Sequence, residues 1–224
     1  MFSAMHFISF AEELSDTDRQ AQTQAIQEAA DAVSPVNLVA VPHEATNSGG
    51  GDLICKLGFA DQDEYEAAKE GEGWAALHAV LDDPAIVSKV EFGAYGEGVC
   101  GVDAPDAIDC VHRVLMFADQ ERAKPEDVAR LNELCTQFHV YVPGMLNWRV
   151  ADIVESSGSK KWAHIWEQDF DSVGTFTGIY MFTPFHPTYV DTYFDTECPN
   201  WTADPELCTI TCDESTAFLA NYCA

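Results

Sequence analysis

Basic residues are scarce in this chain. Its 224 residues hold 11 Lys and Arg against 38 Asp and Glu, a formal net charge of −27. Nucleic acid and anionic membrane both need clustered Lys and Arg, so neither is expected as a partner. The excess of carboxylates favours solubility and fits a salty or acidic-proteome host. No run of eighteen or more apolar residues occurs, so no transmembrane helix is expected. The stretch "MFSAMHFISFAEEL" has no basic leader region and reads as a first strand, with the cytoplasm as the expected location. No CxxC pair is present among the 8 cysteines. Their spacing fits no common zinc pattern, so reduced thiols are expected and no metal site.

What the chain does have is a repeat. "MHFISF" (5–10) and "VHRVLMF" (111–117) each place a histidine at the start of an apolar, strand-like run. A polar, helix-like segment follows each. The first has Ser15 or Asp16 as N-cap, and the second has Pro125 early and acidic residues in its first turn. "SPVNLVAV" (34–41) then matches "VPGMLNWRV" (142–150), and "DLICKLGF" (52–59) matches "WAHIWEQDF" (162–170). Phe59 and Phe170 precede aromatics Tyr65 and Phe176, and Pro84 pairs with Pro184. The landmarks recur at offsets of roughly 100 to 111 residues. Each half reads strand, helix, strand, strand, helix, strand, which is the ferredoxin-like βαββαβ unit. Turns fall at "NSGGGD" (47–52) and "ESSGSKK" (155–161), with a linker at 95–107. The expected fold is α+β: two repeats, 1–104 and 105–224, pairing through their sheets into one barrel within a single chain. Such a chain would be a monomer with an internal pseudo-dimer, or a homodimer.

The halves differ in content. "YMFTPFHPTY" (180–189) is rich in aromatics, and Pro184 and Pro187 bracket His186 in a stiff backbone. In the first half Val80 stands at the Tyr180 position and Ile86 at the His186 position, so that site reads as degenerate.

The second half resembles the Dabb domain, the stress-responsive dimeric α+β barrel, over about residues 109–212, and the first half does so more weakly. "VHRVLMF", "VPGMLNWRV", "KWAHIWEQDF" and "YMFTPFHPTYV" carry the likeness. The family's HP-x-H signal reads Thr183-Pro184-Phe185-His186 here, with threonine in place of the first histidine. Cyclases of the olivetolic acid type within this family close a polyketide ring by an aldol step without a cofactor. The resemblance to them implies catalytic roles for Tyr180 and His186 and pocket roles for His112 and His164. A further pocket tyrosine of that type falls near Cys135, so that contact is not reproduced.

The residue types suit that chemistry. Imidazole takes and returns a proton near neutrality, and an aldol step moves a proton beside a carbonyl. His186 is the expected base, and Tyr180 the group that orients it or donates to an oxyanion. His112 and His164 would polarise a carbonyl or anchor hydroxyls. Alternation along β-structure puts His164, Trp166 and Gln168 on one face. Trp166, Phe176, Phe182, Phe185 and Tyr189 would wall a pocket for a small apolar or aromatic substrate. Arg113 and Arg149 would hold a carboxylate if they faced the pocket, and otherwise pair with the acidic surface. The expected activity is a cofactor-independent lyase or cyclase acting on an aromatic, phenolic or polyketide-like substrate. The alternatives are a non-catalytic scaffold and a cofactor-free monooxygenase.

Overall fold

Strand and helix alternate in the order that the repeat predicts. In the computed structural model, which describes residues 1–216 and 218–222, the first half is β1 (Phe2–Phe10), α1 (Asp16–Val33), β2 (Asn37–Ala40), β3 (Leu53–Phe59), α2 (Gln62–Lys69), α3 (Glu72–Leu81) and β4 (Val87–Tyr95). The expected linker is not all loop, because Val99–Val102 forms β5. The second half is β6 (Ile108–Phe117), α4 (Pro125–Cys135), α5 (Phe138–Tyr141), β7 (Met145–Ser157), β8 (His164–Phe170), two π-helical turns and β9 (Cys208–Thr216). Local chemistry sets the helix starts. Ser15 Oγ caps α1 by accepting from the Asp18 amide at 3.2 Å, and Pro125 opens α4 where its missing N–H costs nothing. No described helix is long and apolar enough to cross a membrane.

All pairings in the ladder are antiparallel, in the order β2-β3-β1-β4-β7-β8-β6-β9, with β5 added on β7. Each half thus has the ferredoxin-like strand order. The halves join where β4 pairs β7, from Phe92 opposite Ser157 to Tyr95 opposite Ile153. At the far edge Ser48 and Gly49 bridge Thr209, and the His43 amide donates to the Thr211 carbonyl at 2.8 Å. These contacts nearly close the sheet into a barrel. Gly49 is required at this seam: its φ is +72°, and a Cβ there would lie 2.4 Å from the Leu207 carbonyl oxygen.

Closing the sheet gives it two buried faces. One packs on the helices, with Phe2, Ala4 and Ile8 in the first half and Val111, Leu115 and Phe117 in the second. The other lines the lumen, with Met5, Phe7, Val114 and Met116. The ladders correct the repeat alignment. Phe2 opposes Phe59 as Val111 opposes Phe170, so His112 corresponds to Ser3 and His6 to Leu115. Matching histidine to histidine shifts the strands by an odd number of residues, which exchanges the faces. His6 lies on the helix side, beside Trp74 and Phe92. His112 lies in the lumen among Glu167, Asp169 and Glu214. The Phe59–Tyr65 and Phe170–Phe176 landmarks do correspond, with ring centroids 5.4 and 5.6 Å apart.

Candidate active site

The helix-side face of the second half carries a buried cation. Arg113 on β6 pairs in register with Gln168 on β8, and its Nη1 donates to Gln168 Oε1 at 2.6 Å. Three rings surround the guanidinium: Trp166 at 5.2 Å, Phe176 at 5.4 Å and Tyr180 at 5.2 Å. Arg113 is 6% exposed. No carboxylate of the described residues forms an ion pair with it, and its Nε has no hydrogen-bond partner. Isolated burial of such a charge costs several kcal/mol. A cation–π contact returns only about 2 kcal/mol when desolvated.

Tyr180 and His186 meet beside it. They sit on the π-helical turns Thr175–Tyr180 and His186–Val190, a wide helix form that recurs at functional sites. Pro187 occupies the first turn of the second segment, so His186 opens a helical turn instead of standing in an extended loop. The ring centroids of Tyr180 and His186 are 4.6 Å apart. The Tyr180 hydroxyl is fully buried and has no partner. Burial pushes its pKa upward, so it is a hydrogen-bond donor at neutral pH. His186 Nε2 lies 3.2 Å from Asp191 Oδ1, while its Nδ1 makes no hydrogen bond. Burial lowers the His186 pKa. Asp191 opposes this, Arg113 adds to it, and the net shift is downward. The lowered pKa favours a neutral imidazole near pH 7, and the tautomer with Nε2–H toward Asp191 leaves Nδ1 as the basic nitrogen; the Met181 carbonyl also approaches the ring. Trp166 Nε1 is also without a partner. Buried polar groups are nearly always paired, so four unpartnered atoms in one cluster make it a candidate place for a polar ligand or water.

The other expected site residues fall differently. Phe176 and Phe185 are buried in this core, and so is Trp166. Phe182 is 80% exposed and faces solvent, a correction to its expected place in the pocket. Tyr189 is half-exposed and lines an outer groove of about 620 Å³ with Tyr141, Pro184 and Phe185. Phe185 stacks on Tyr141 at 4.3 Å and meets Phe138 edge-on at 5.1 Å, so it stands between groove and cluster. His164 and Trp166 share a face, as alternation predicts. However, His164 sits at the rim, with Nδ1 2.8 Å from Asp152 and Nε2 3.2 Å from Asp119. Burial pulls its pKa down, the two carboxylates outweigh that, and the net shift is upward. The two carboxylates hold it as an anchor at the rim. His112 is on the opposite face of the sheet and does not join the cluster.

Arg149 also departs from expectation. It is buried in the lumen, donating to Ser3 Oγ and the Met1 carbonyl, both at 3.2 Å, and to the Gly96 carbonyl. Among the described residues the contacts of both arginines are buried ones. The signal for Arg113 was readable: a charge inside an apolar strand, at a helix-facing position. Asp191 carried no such signal.

The first half has its own pocket, of about 220 Å³, lined by His6, Trp74, His78, Leu81, Phe92 and Lys69 among others. Trp74 and His78 on α3 approach His6, instead of Val80 and Ile86. His6 Nδ1 lies 3.3 Å from the Cys55 carbonyl, and its Nε2 is buried without a partner. The seven described cysteines are free, and Cys223 lies outside the described residues.

No family model matches the chain, and no curated protein does. Solved structures match its fold over nearly its whole length. An anthrone oxidase-like protein superposes with a TM-score of 0.66 at 11% identity, covering 95% of this chain and 90% of that one. A protein provisionally described as a monooxygenase, from Lactobacillus acidophilus, gives 0.56 at 10% identity, covering 94% and 92%. A mutant chlorite dismutase from Candidatus Nitrospira defluvii gives 0.54 at 9% identity, covering 98% and 93%. Likeness at these identities establishes the α+β barrel fold and leaves the activity to the site itself.

Proposed function

We propose that this chain is an enzyme that deprotonates an aromatic, phenolic or polyketide-like ketone and holds the resulting oxyanion on Arg113. The observation that carries this reading is the buried guanidinium with aromatic walls and no ion-paired carboxylate among the described residues. An enolate or phenolate supplies the missing charge, and the rings supply a flat apolar wall. His186 Nδ1 takes the proton from carbon, and Asp191 steadies the imidazole that receives it. Arg113, the Tyr180 hydroxyl and Trp166 Nε1 donate to the oxygen on which charge develops. Substrate enters from the outer groove past Phe185. None of these steps needs a cofactor. A scaffold protein without chemistry would have no use for these orphaned groups in its core.

The carbanion then meets one of two electrophiles. The likeness to an anthrone oxidase-like protein and to a monooxygenase favours dioxygen. In that case an activated CH2 loses a proton, the carbanion adds O2, and the hydroperoxide takes a proton. Loss of water then leaves a ketone, with one oxygen atom in the product and one in water. The pairing of Tyr180 with His186 favours the second reading, in which a carbonyl carbon is attacked or released and the enzyme is a lyase or cyclase. Turnover of anthrone-type and phenolic ketones is measured with and without oxygen. Oxygen uptake equal to product, lost in His186→Ala, supports the first course. Equal anaerobic turnover supports the second. Full activity of His186→Ala with every substrate refutes the site.

A further inference from the structure

The lumen holds a second cluster, on the other face of the sheet. His112, Asp169 and Glu214 project from the adjacent strands β6, β8 and β9, and their ligand atoms all lie within 4.8 Å of one another. His112 Nδ1 is 2.8 Å from Asp169 Oδ1 and 3.7 Å from Glu214 Oε2. Glu214 is 5% exposed, yet neither of its oxygens makes a hydrogen bond. The Phe218 amide and Lys56 also face Glu214. From these positions we propose that the lumen binds one divalent transition-metal ion on His112, Asp169 and Glu214.

The nearby cations make their close contacts with Glu167, and Lys56 acts on Glu214 only at longer range. Lys56 bonds Glu167, and Arg149 lies 3.9 Å from Glu167. No ion pair joins either cation to Asp169 or Glu214 among the described residues. The two carboxylates face one imidazole nitrogen. A proton on Nδ1 lies along a single hydrogen bond, to Asp169, and cannot also serve Glu214. A metal ion in its place takes all three donors. The surrounding contacts are those that metal ligands use. His112 Nε2 faces Glu167 Oε1 at 3.5 Å, and Asn147 Nδ2 donates to Asp169 Oδ2 at 3.0 Å. A carboxylate on the far nitrogen of a ligating histidine fixes its tautomer and raises its basicity. One imidazole and two carboxylates suit Mn2+, Fe2+ or Zn2+, whereas Ca2+ and Mg2+ prefer oxygen alone.

The test is elemental analysis of the chain purified without chelator. Chelator-stripped protein is then unfolded and refolded with Mn2+, Co2+ or Zn2+, so that slow entry into a closed barrel cannot hide binding. One ion per chain is expected, with a raised melting temperature. The Asp169→Asn, Glu214→Gln double variant should bind at least about tenfold less while keeping its far-UV circular dichroism. Glu214→Gln alone, which keeps the side chain's size and an acceptor oxygen, supplies the folded variant if the double one fails. Wild-type protein that takes up no metal by either route overturns the proposal. So does a folded variant with wild-type metal content.

Discussion

Replacing Tyr180 with phenylalanine tests the site without any knowledge of the substrate. The ring is packed on every side: His186 at 4.6 Å, Phe138 at 4.8 Å, Phe176 at 5.3 Å and Phe170 at 5.6 Å. Phenylalanine keeps those contacts and removes one oxygen. A buried polar group without a partner costs about 1–3 kcal/mol. The void left behind is smaller than a methyl group and costs under about 1 kcal/mol. The balance predicts that Tyr180→Phe is more stable than wild type by about 1–2 kcal/mol. In a chain of this size that is a rise of about 2 to 8 °C in Tm. The same change removes an oxyanion donor, so kcat should fall about 100- to 1000-fold. Calorimetry and urea unfolding read the first effect, and turnover reads the second. A destabilised Tyr180→Phe would mean that the hydroxyl has a partner in the folded chain, and the reasoning from orphaned groups would fail.

Arg113→Met should leave stability unchanged or raised, because it deletes an uncompensated buried charge, and should lower kcat/KM by about 100-fold or more. A stability loss above about 3 kcal/mol in urea unfolding would reveal a broken ion pair instead. The kcat/KM profile should have an acid limb with its midpoint below the ordinary histidine value of 6.5, since the His186 pKa is lowered. Asp191→Asn removes the charge that opposes the shift, so its limb should move to still lower pH. A limb that moves upward in that variant contradicts the pairing. Burial lowers the His6 pKa to about 4, the Cys55 carbonyl opposing and His78 assisting. The unfolded chain then binds more protons below pH 6.5, so stability falls with pH through the window from 6.5 to 4. Relative to His6→Gln, wild type should lose about 3 kcal/mol between pH 7 and pH 4. Parallel unfolding curves for the two proteins would refute the burial of a neutral His6.

Much of the fold was legible because its determinants are local. Ser15 and Pro125 set helix starts, and the apolar runs set strands. The proline and phenylalanine landmarks then ordered the two repeats. The facing of side chains was less legible. The histidine match between "MHFISF" and "VHRVLMF" compares residues on opposite faces, and only the ladder with β3 and β8 shows it. Tyr180 and His186 were singled out through the family resemblance and the proline-bracketed stretch, and the fold brings their rings together. Arg113 was visible but its environment was not, because the rings around it come from three separate segments. The lumen cluster was beyond reach for the same reason. His112 lies far in sequence from both Asp169 and Glu214, so no motif spacing joins them.

The seam between β4 and β7 lies within one polypeptide, so dilution cannot part the two lobes. It has a second consequence. In a barrel made from two identical chains, every substitution arrives twice, and a costly buried charge would burden both copies. Here each position of one lobe varies alone. Arg113 has Ala4 as its counterpart in the ladder. The chain can therefore carry the cost of a buried cation once, keep a neutral histidine pocket in the other lobe, and let the two drift toward different ligands while a single sheet holds them together.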